Sequence, residues 1–311
     1  MIIYDSKGWN QLFLTILKTF KESYNLQLLV RFMIYVLLYA TVITALNIHF
    51  LEGAFTIDTV FFSLVGVILS LFLVFRLNSA YDRWWEGRKQ WGKLVNDCRT
   101  LALNLNSLIP LAERRRRKFF VKNIANFCLA LQWHLRDDVQ YGKFIYVNTA
   151  YTDDVEKAKH VPNQITAFMF NEVETMYKEG GINDFDKNRL NTLLQGLIDV
   201  LGACERIKKT PIPFSHSTFI KIFTIIYLFI LPFGLVEVFQ YLTIPAVGVM
   251  GFAMLGIEII SEEIENPFGL DANDLPTGQM SDGIRENVYE ILQVKSSFIA
   301  EMNNKEADVV H

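Results

Sequence analysis

The fold is decided by residues 57–75, IDTVFFSLVGVILSLFLVF, and by the stretch that follows them, residues 76–92, RLNSAYDRWWEGRKQWG. The first stretch carries one charged side chain, Asp58, and a membrane-spanning helix needs roughly 20 mostly apolar residues. The second stretch carries three tryptophans, one tyrosine and five charged residues besides Arg76. This composition is typical of the aromatic belt at a membrane surface. The sequence therefore predicts a helix whose membrane-spanning part ends at Phe75.

Three further stretches are long and apolar enough, or nearly so, to cross a membrane: residues 32–50, 219–239 and 242–260. Hydrophobic residues make up 51% of the 311-residue chain and charged residues 20%, a more apolar balance than that of an ordinary soluble domain. Buried helices of a soluble all-α protein are the alternative, but core helices rarely run that far without charge. We predict an all-α integral membrane protein with four transmembrane helices per subunit.

The distribution of basic residues predicts the topology. Lysine and arginine are absent from residues 32–75 and 222–284, so the short loops inside two helical hairpins face outward by the positive-inside rule. Both termini are then cytoplasmic, and we expect a multi-pass protein of the cell inner membrane. The predicted segments are a cytosolic N-terminal segment (1–31), a first transmembrane hairpin (32–75), a cytosolic helical domain (76–217), a second transmembrane hairpin (218–260) and a cytosolic C-terminal segment (261–311).

Residues 76–217 have helical periodicity and no alternating strand pattern. Breaks between helices are predicted at Pro110, in a loop around residues 148–162, at Gly180 and Gly181, and at the TPIP sequence of residues 210–213. The cytosolic domain is therefore expected to consist of several helices of ordinary length.

Motifs of the common enzyme classes are absent from the sequence, which contains no GxGxxG, GxxxxGK[ST], HExxH or GxSxG. Thirty basic and 33 acidic residues give a net charge of −3, so the chain lacks the overall excess of basic residues that is typical of nucleic-acid-binding proteins. The histidines are scattered without ligand spacing. We therefore predict no catalytic residue, no cofactor, no metal site and no nucleic-acid partner. The histidines are His49, His134, His160, His216 and His311.

One face of the predicted helix at residues 57–75 has an unusual pattern. At 100° per residue, Val67, Leu71 and Phe75 share a face at four-residue spacing. A second group, on or beside that face, is polar. Such a stripe fits a pore whose apolar ring gates by dewetting, and it fits equally well ordinary helix packing through small residues. The polar group consists of Ser63, Ser70 and Asn78.

Two acidic residues, Glu237 and Glu258, lie near the ends of predicted spans. Ionisable groups within a membrane are functional candidates by default, although both could equally lie in the hydrated interface.

Three motifs together resemble the bestrophin family in its bacterial branch: FRLNSAYDRWWEGRKQWGKLVNDCR from Phe75, LGACER with TPIPF in residues 201–214, and EEIENPFGLDANDLP in residues 262–276. The resemblance covers nearly the whole chain. It implies a homopentamer, embedded in membrane lipid, that conducts monovalent ions through one central pore. It also implies that Val67, Leu71 and Phe75 form an apolar neck, and the polar residues of the same stripe, Ser63, Ser70 and Asn78, are then expected to line the pore. A cytosolic aperture would fall on Phe185, with Asp184 and Asp186 beside it.

The resemblance leaves the sign of the conducted ion open. Eukaryotic bestrophins pass chloride, whereas bacterial relatives are associated with monovalent cations, and an apolar neck carries no charge that could discriminate. Asp184 and Asp186 would favour cations. Only Asp271 and Asp274 remain of the acidic cluster that contributes to a calcium clasp in eukaryotic members, which argues against calcium gating.

Two rival functions are a secondary transporter and a membrane-anchored scaffold. A transporter would be expected to have broken helices in corresponding halves of the chain. Here Pro232 and Pro245 both lie in the second hairpin, without a counterpart in the first. A scaffold or membrane-anchored enzyme would need a polar cluster in the cytosolic domain, and the sequence shows none.

Overall fold

The computed structural model describes residues 24–50, 58–140, 143–145, 147, 149–271 and 273–294. Within these ranges the chain is all-α, with no β-strand, as predicted. The predictions for residues 1–23 and 295–311 lie outside the described residues. The helices are α1 (Tyr24–His49), α2 (Thr59–Leu108), α3 (Arg114–Arg136), α4 (Thr149–Lys157), α5 (Val161–Lys178), α6 (Asp184–Lys209), α7 (Phe214–Phe239), α8 (Thr243–Glu265) and α9 (Thr277–Ile291).

Three helical stretches are long and apolar enough to cross a membrane: Asn25–His49, Val60–Leu108 and Phe214–Glu265. The third consists of α7 and α8, which a 3-10 turn at Gln240–Leu242 separates. Gln240 has a φ of 46°, which takes its backbone out of the helical region. The predicted third and fourth spans therefore lie in two separate helices.

The helices extend further than the predicted spans. α1 already includes Tyr24, ahead of the span predicted from residue 32, and α2 continues to Leu108. No proline interrupts residues 76–108, so the backbone stays helical after the apolar side chains end at Phe75. At 1.5 Å per residue the 50 residues of α2 are about 75 Å long, against about 30 Å of hydrocarbon. Most of this helix must therefore lie outside a bilayer.

Three of the four predicted breaks are confirmed, whereas the loop predicted at residues 148–162 is largely occupied by α4 (Thr149–Lys157). Pro110 lies between α2 and α3, Gly180 and Gly181 lie between α5 and α6, and residues 210–213 separate α6 from α7. Gly180 has a φ of 75°, a conformation that glycine adopts without steric cost.

The chain divides into two compact units, with α2 passing from one into the other. Unit one consists of Met1–Trp85 and Thr210–Asp274, and unit two of Glu86–Lys209 and Leu275–His311. In unit one α1 packs against α7 and α8, and α7 packs against α8. In unit two α3 is central and packs against α5, α6 and α9.

The core of unit one is formed where α2 lies against α7. Phe62, Leu69 and Leu73 of α2 are buried among apolar residues of α7 and α8. Gly234 of α7 contacts Phe62 so closely that a Cβ atom there would overlap the ring. This glycine is therefore required for the close approach of the two helices.

In unit two, Arg117 joins the end of α2 to the start of α3. Its guanidinium is buried and donates to the carbonyl oxygens of Ile109 and Leu292 and to Oδ1 of Asn106. It also donates to the carbonyl oxygen of Pro110. The last carbonyls of a helix lack partners within the helix. Arg117 supplies donors to the carbonyls at this chain reversal and so stabilises it.

We predict that Gly234→Ala destabilises the protein by about 1–3 kcal/mol, the usual range for overpacking a filled core. Gly202→Ala is the matched control, because a Cβ at Gly202 in α6 meets no atom within 4 Å. It should leave stability unchanged or raise it by up to about 1 kcal/mol, since alanine favours a helix. Denaturant unfolding in detergent measures both. Equal stability of the two variants would contradict the packing described for Phe62 and Gly234.

Candidate functional site

The predicted neck residues lie on the face of α2 that points away from the core of unit one. Val67, Leu71 and Phe75 are 70%, 55% and 53% exposed. Leu69 and Leu73, two positions away from the neck residues, are buried. Because two residues correspond to about 200° of rotation on a helix, the exposed and buried lines are nearly opposite. The neck residues are therefore not part of the subunit's own core.

The polar residues beside this line are also exposed. The Ser70 hydroxyl donates to the carbonyl oxygen of Gly66 at 2.7 Å, so its proton is used within the helix and only its oxygen can accept a bond from water. Ser63 and Asn78 lie at the two ends of the stripe and are exposed.

Leu64 extends the apolar line toward the Ser63 end of α2. It precedes Leu71 by seven residues, which is close to two full helical turns, so the two side chains share a face. Leu64 is 62% exposed. The Ser63 end of the stripe is therefore more apolar than expected from the sequence.

Exposed apolar side chains are not confined to the neck. Large apolar side chains are also exposed on α1 and α7, among them Leu38, Val42 and Ile225. Apolar surface on a membrane helix can face lipid, another subunit or a dewetted channel. The position of the neck residues opposite the core leaves their side chains available for contacts outside the subunit.

Arg76 is the residue that follows the neck, and it points into unit one. Its side chain is 1% exposed and donates from Nη2 to Oε2 of Glu265 at 2.7 Å, with Glu258 Oε1 3.8 Å from its Nε. A buried guanidinium is tolerated only where carboxylates neutralise it. Arg76 and the buried Leu73 are three positions apart and share the inward side of α2, whereas Phe75, two positions after Leu73, lies nearly opposite that residue.

The carboxylate of Glu265 connects three parts of unit one. Besides Arg76, its Oε1 accepts a hydrogen bond from the backbone N–H of Ile212 at 3.0 Å. The carbonyl oxygen of Glu265 accepts one from Nε of Arg83 at 3.1 Å. Arg83 also donates to the carbonyl oxygen of Thr210. The end of α8 thereby holds α2 and the start of the residue 210–213 loop together.

Only part of this network was predictable from the sequence. Glu258 was a candidate because of its position in a predicted span, and the structure gives it a structural partner, Arg76. Glu265 was not a candidate. Two signals in the sequence could have indicated it. Glu258 and Glu265 are spaced so that both lie on one face of α8, and an arginine that needs an acidic partner, Arg76, follows the second predicted span. Glu237 is exposed at the end of α7.

Phe185 and its two acidic neighbours lie together at the N-terminus of α6, in unit two. Phe185 is 86% exposed. The Asn183 side chain accepts a hydrogen bond from the backbone N–H of Asp186 at 2.9 Å, which is the usual role of an N-cap residue. Asp184 and Asp186 lie in the first turn, where negative charge interacts favourably with the helix dipole. The two carboxylates thus stabilise the N-terminus of α6.

The turn between α8 and α9 uses its acidic groups internally. Oδ2 of Asp274 accepts a hydrogen bond from the backbone N–H of Asp271 at 2.6 Å, and Oε1 of Glu263 accepts one from Asn273 at 2.9 Å. A Cβ at Gly269 would lie 2.6 Å from the Asp274 carboxylate. The NPFG glycine is therefore needed for this tight turn, and the carboxylates stabilise it.

An all-α chain with several long apolar helices and an exposed apolar stripe on one of them belongs to the class of helical membrane proteins. The family model described as Bacterial/Fungal Bestrophin protein matches residues 2–290. The chain belongs to this bestrophin family, a family of ion channels, and the resemblance seen in the sequence is confirmed.

Relatives and solved structures agree with this assignment. A voltage-dependent anion channel-forming protein of Synechocystis sp. is 35% identical over 74% of this chain and 76% of its own length. One from Nostoc sp. is 33% identical over 77% and 80%. The crystal structure of a bacterial bestrophin homologue from Klebsiella pneumoniae has a TM-score of 0.80 at 26% identity and covers 85% of this chain and 98% of its own.

We predict that Glu265→Ala destabilises the protein by about 3 kcal/mol, because it leaves the buried Arg76 with only the more distant Glu258. Glu262→Ala is the control: Glu262 pairs with Lys221 at 2.8 Å, and both side chains are more than a third exposed. Its loss should cost less than about 1 kcal/mol. Thermal unfolding of the purified proteins in detergent measures the difference. Comparable effects of the two substitutions would show that Arg76 does not depend on Glu265.

Proposed function

We propose that the chain is one subunit of a homopentameric channel for monovalent ions, with four membrane crossings per subunit, in the cell inner membrane. It acts as a passive channel rather than as an enzyme, a secondary transporter or a scaffold. The observation that carries the proposal is the exposed line of Val67, Leu71 and Phe75 on the face of α2 opposite the core, in a chain of the bestrophin family. The names of the relatives support ion conduction.

Four crossings are supported by the turn at Gln240–Leu242, which divides the last apolar stretch into α7 and α8. With α1 and the apolar part of α2, these helices account for two hairpins. The absence of lysine and arginine from residues 32–75 and 222–284 supports outward loops and cytoplasmic termini. The same proposal includes the segment boundaries given in the sequence analysis, with the two membrane hairpins at residues 32–75 and 218–260 and the cytosolic helical domain at residues 76–217.

In the proposed pore, each neck residue forms a ring of five side chains. Ions enter past the Ser63 end of α2 and cross the rings of Val67, Leu71 and Phe75 with partial dehydration. An apolar constriction of this kind is closed when water withdraws from it. The inward ion pair of Arg76 keeps charge out of the neck, so the energetic barrier there depends on diameter and on apolar surface.

The cytosolic aperture is proposed at Phe185, which stands exposed at the start of α6. Asp184 and Asp186 lie beside it and favour cations over anions electrostatically. The relatives' names, in contrast, state anion conduction for those proteins. Within this proposal the two carboxylates shift the balance toward cations at the aperture, while the neck itself is indifferent to sign.

We predict that the double substitution Leu71→Ala and Phe75→Ala raises the open probability of single channels in lipid bilayers. Shorter side chains widen and wet the neck, and we expect the ratio of open to closed time to rise about tenfold, which corresponds to about 1.4 kcal/mol.

Leu38→Ala with Val42→Ala is the matched control. These two residues have the same four-residue spacing, and both are exposed on α1. Their truncation should leave gating and conductance unchanged. Unaltered gating in the neck variant, or an equal change in the α1 variant, would count against the neck.

We also predict that Asp184→Asn combined with Asp186→Asn moves the reversal potential toward the chloride equilibrium potential in asymmetric KCl. Removing the carboxylates lowers the local cation concentration at the aperture. Asp199 is also exposed on α6, and Asp199→Asn should leave the reversal potential unchanged. If the double variant and the wild-type channel have the same reversal potential, these carboxylates do not contribute to selectivity.

A further inference from the structure

Two histidines and a glutamate from three different helices meet in unit two. His134 lies near the end of α3, His160 is the N-cap residue of α5, and Glu205 lies near the end of α6. Nε2 of His134 is 2.6 Å from Oε1 of Glu205, and Nε2 of His160 is 2.8 Å from the same oxygen. The two imidazole rings have centroids 4.5 Å apart.

The cluster is open to solvent but held in place. The side chains of His134, His160 and Glu205 are 27%, 31% and 21% exposed. Burial raises the pKa of the Glu205 carboxyl, but hydrogen bonds from His160 and His134 outweigh it and hold the pKa below its usual value. Glu205 is therefore ionised at neutral pH, and both imidazoles donate to it.

We propose that His134, His160 and Glu205 form a binding site for a divalent first-row transition metal ion, with Zn²⁺ as the ion that fits best. Two imidazole nitrogens and one carboxylate oxygen are a known ligand set for zinc, and water completes the tetrahedron. Imidazole ligands also suit copper and nickel, whereas calcium and magnesium prefer oxygen ligands alone.

The distances are compatible with such an ion. The three ligand atoms all lie within 4.8 Å of one another. With metal–ligand bonds of about 2.0–2.2 Å, the edges of a tetrahedron are about 3.3 Å. Glu205 must therefore withdraw by roughly half an ångström from each imidazole, a shift that a rotation of its side chain provides.

Binding changes the tautomer of His160. An imidazole that ligates through Nε2 carries its proton on Nδ1, but Nδ1 of His160 accepts a hydrogen bond from the backbone N–H of Asn163. That bond is 3.4 Å long, beyond the range of a strong hydrogen bond. Losing it lowers the affinity for the metal but does not prevent binding.

Two lysines lie close to the cluster, and neither blocks it. Lys209 is 3.9 Å from Oε2 of Glu205, the oxygen that the histidines do not contact, and its side chain is 69% exposed. It can turn into solvent when an ion binds. Lys208 is paired with Asp137 at 2.6 Å, which offsets its charge.

A bound ion would connect α3, α5 and α6. Because it binds the folded arrangement and not the unfolded chain, it stabilises unit two by mass action. All three ligands belong to unit two, so the site does not rest on the proposed channel function.

The test uses the full-length protein in detergent, stripped with a chelator and dialysed against ZnCl₂. We expect one zinc per subunit by elemental analysis. In competition with a chromophoric chelator, His134→Gln and His160→Gln should weaken binding by more than the roughly 10- to 100-fold that loss of an outer-shell partner costs. His216→Gln, an exposed histidine in unit one, is the control and should bind zinc like the wild type.

X-ray absorption at the zinc edge of the wild-type protein gives a second readout that needs no variant. Two imidazole ligands and one carboxylate are expected. No bound zinc after dialysis, equal affinity in His134→Gln, His160→Gln and wild type, or a zinc environment without two imidazoles would each overturn the proposal. If either variant fails to fold, the absorption spectrum of the wild type alone decides.

Discussion

The buried ion pair between Arg76 and Glu265 is the interaction on which the orientation of α2 depends. The Arg76 side chain is 1% exposed. If it turned outward, Glu258 and Glu265 would lose their ion-pair partner, and without these two carboxylates its buried charge would be uncompensated. It therefore fixes the rotation of α2 at the point where the apolar side chains end. Given that rotation, Phe75, Leu71 and Val67 must face away from the core, and the face of Leu69 and Leu73 must be buried.

The same constraint explains how one helix serves two environments. Up to Phe75 its side chains are apolar on nearly every face, as expected of a helix surrounded by other helices and lipid. From Arg76 onward it carries charges, and its backbone continues without a break into unit two. Gly234 allows the ring of Phe62 to lie against α7, so α2 is held at two levels, by close packing in the apolar part and by charge at its end.

Much of this was predictable because it depends on local pattern. Long apolar runs, the break at Pro110 and the spacing of Val67 and Leu71 all follow from helix geometry and from residue type. Partners far apart in sequence were not predictable in this way. Arg76 and Glu265 are 189 positions apart, and His134 and His160 meet at Glu205, which is 71 and 45 positions away from them. Because the histidines have no regular spacing in the sequence, the sequence analysis predicted no metal site. The proposed zinc site departs from that prediction.

The central claim is that the exposed face of α2 lines a water-filled conduit, and accessibility of one neck position tests it most directly. The cysteines Cys98, Cys128 and Cys204 are buried, so a cysteine introduced as Leu71→Cys is the main target for a charged, water-soluble thiol reagent. We predict that the reagent blocks the current of reconstituted open channels. Unchanged current after mass spectrometry has shown that the introduced cysteine is modified would contradict this claim.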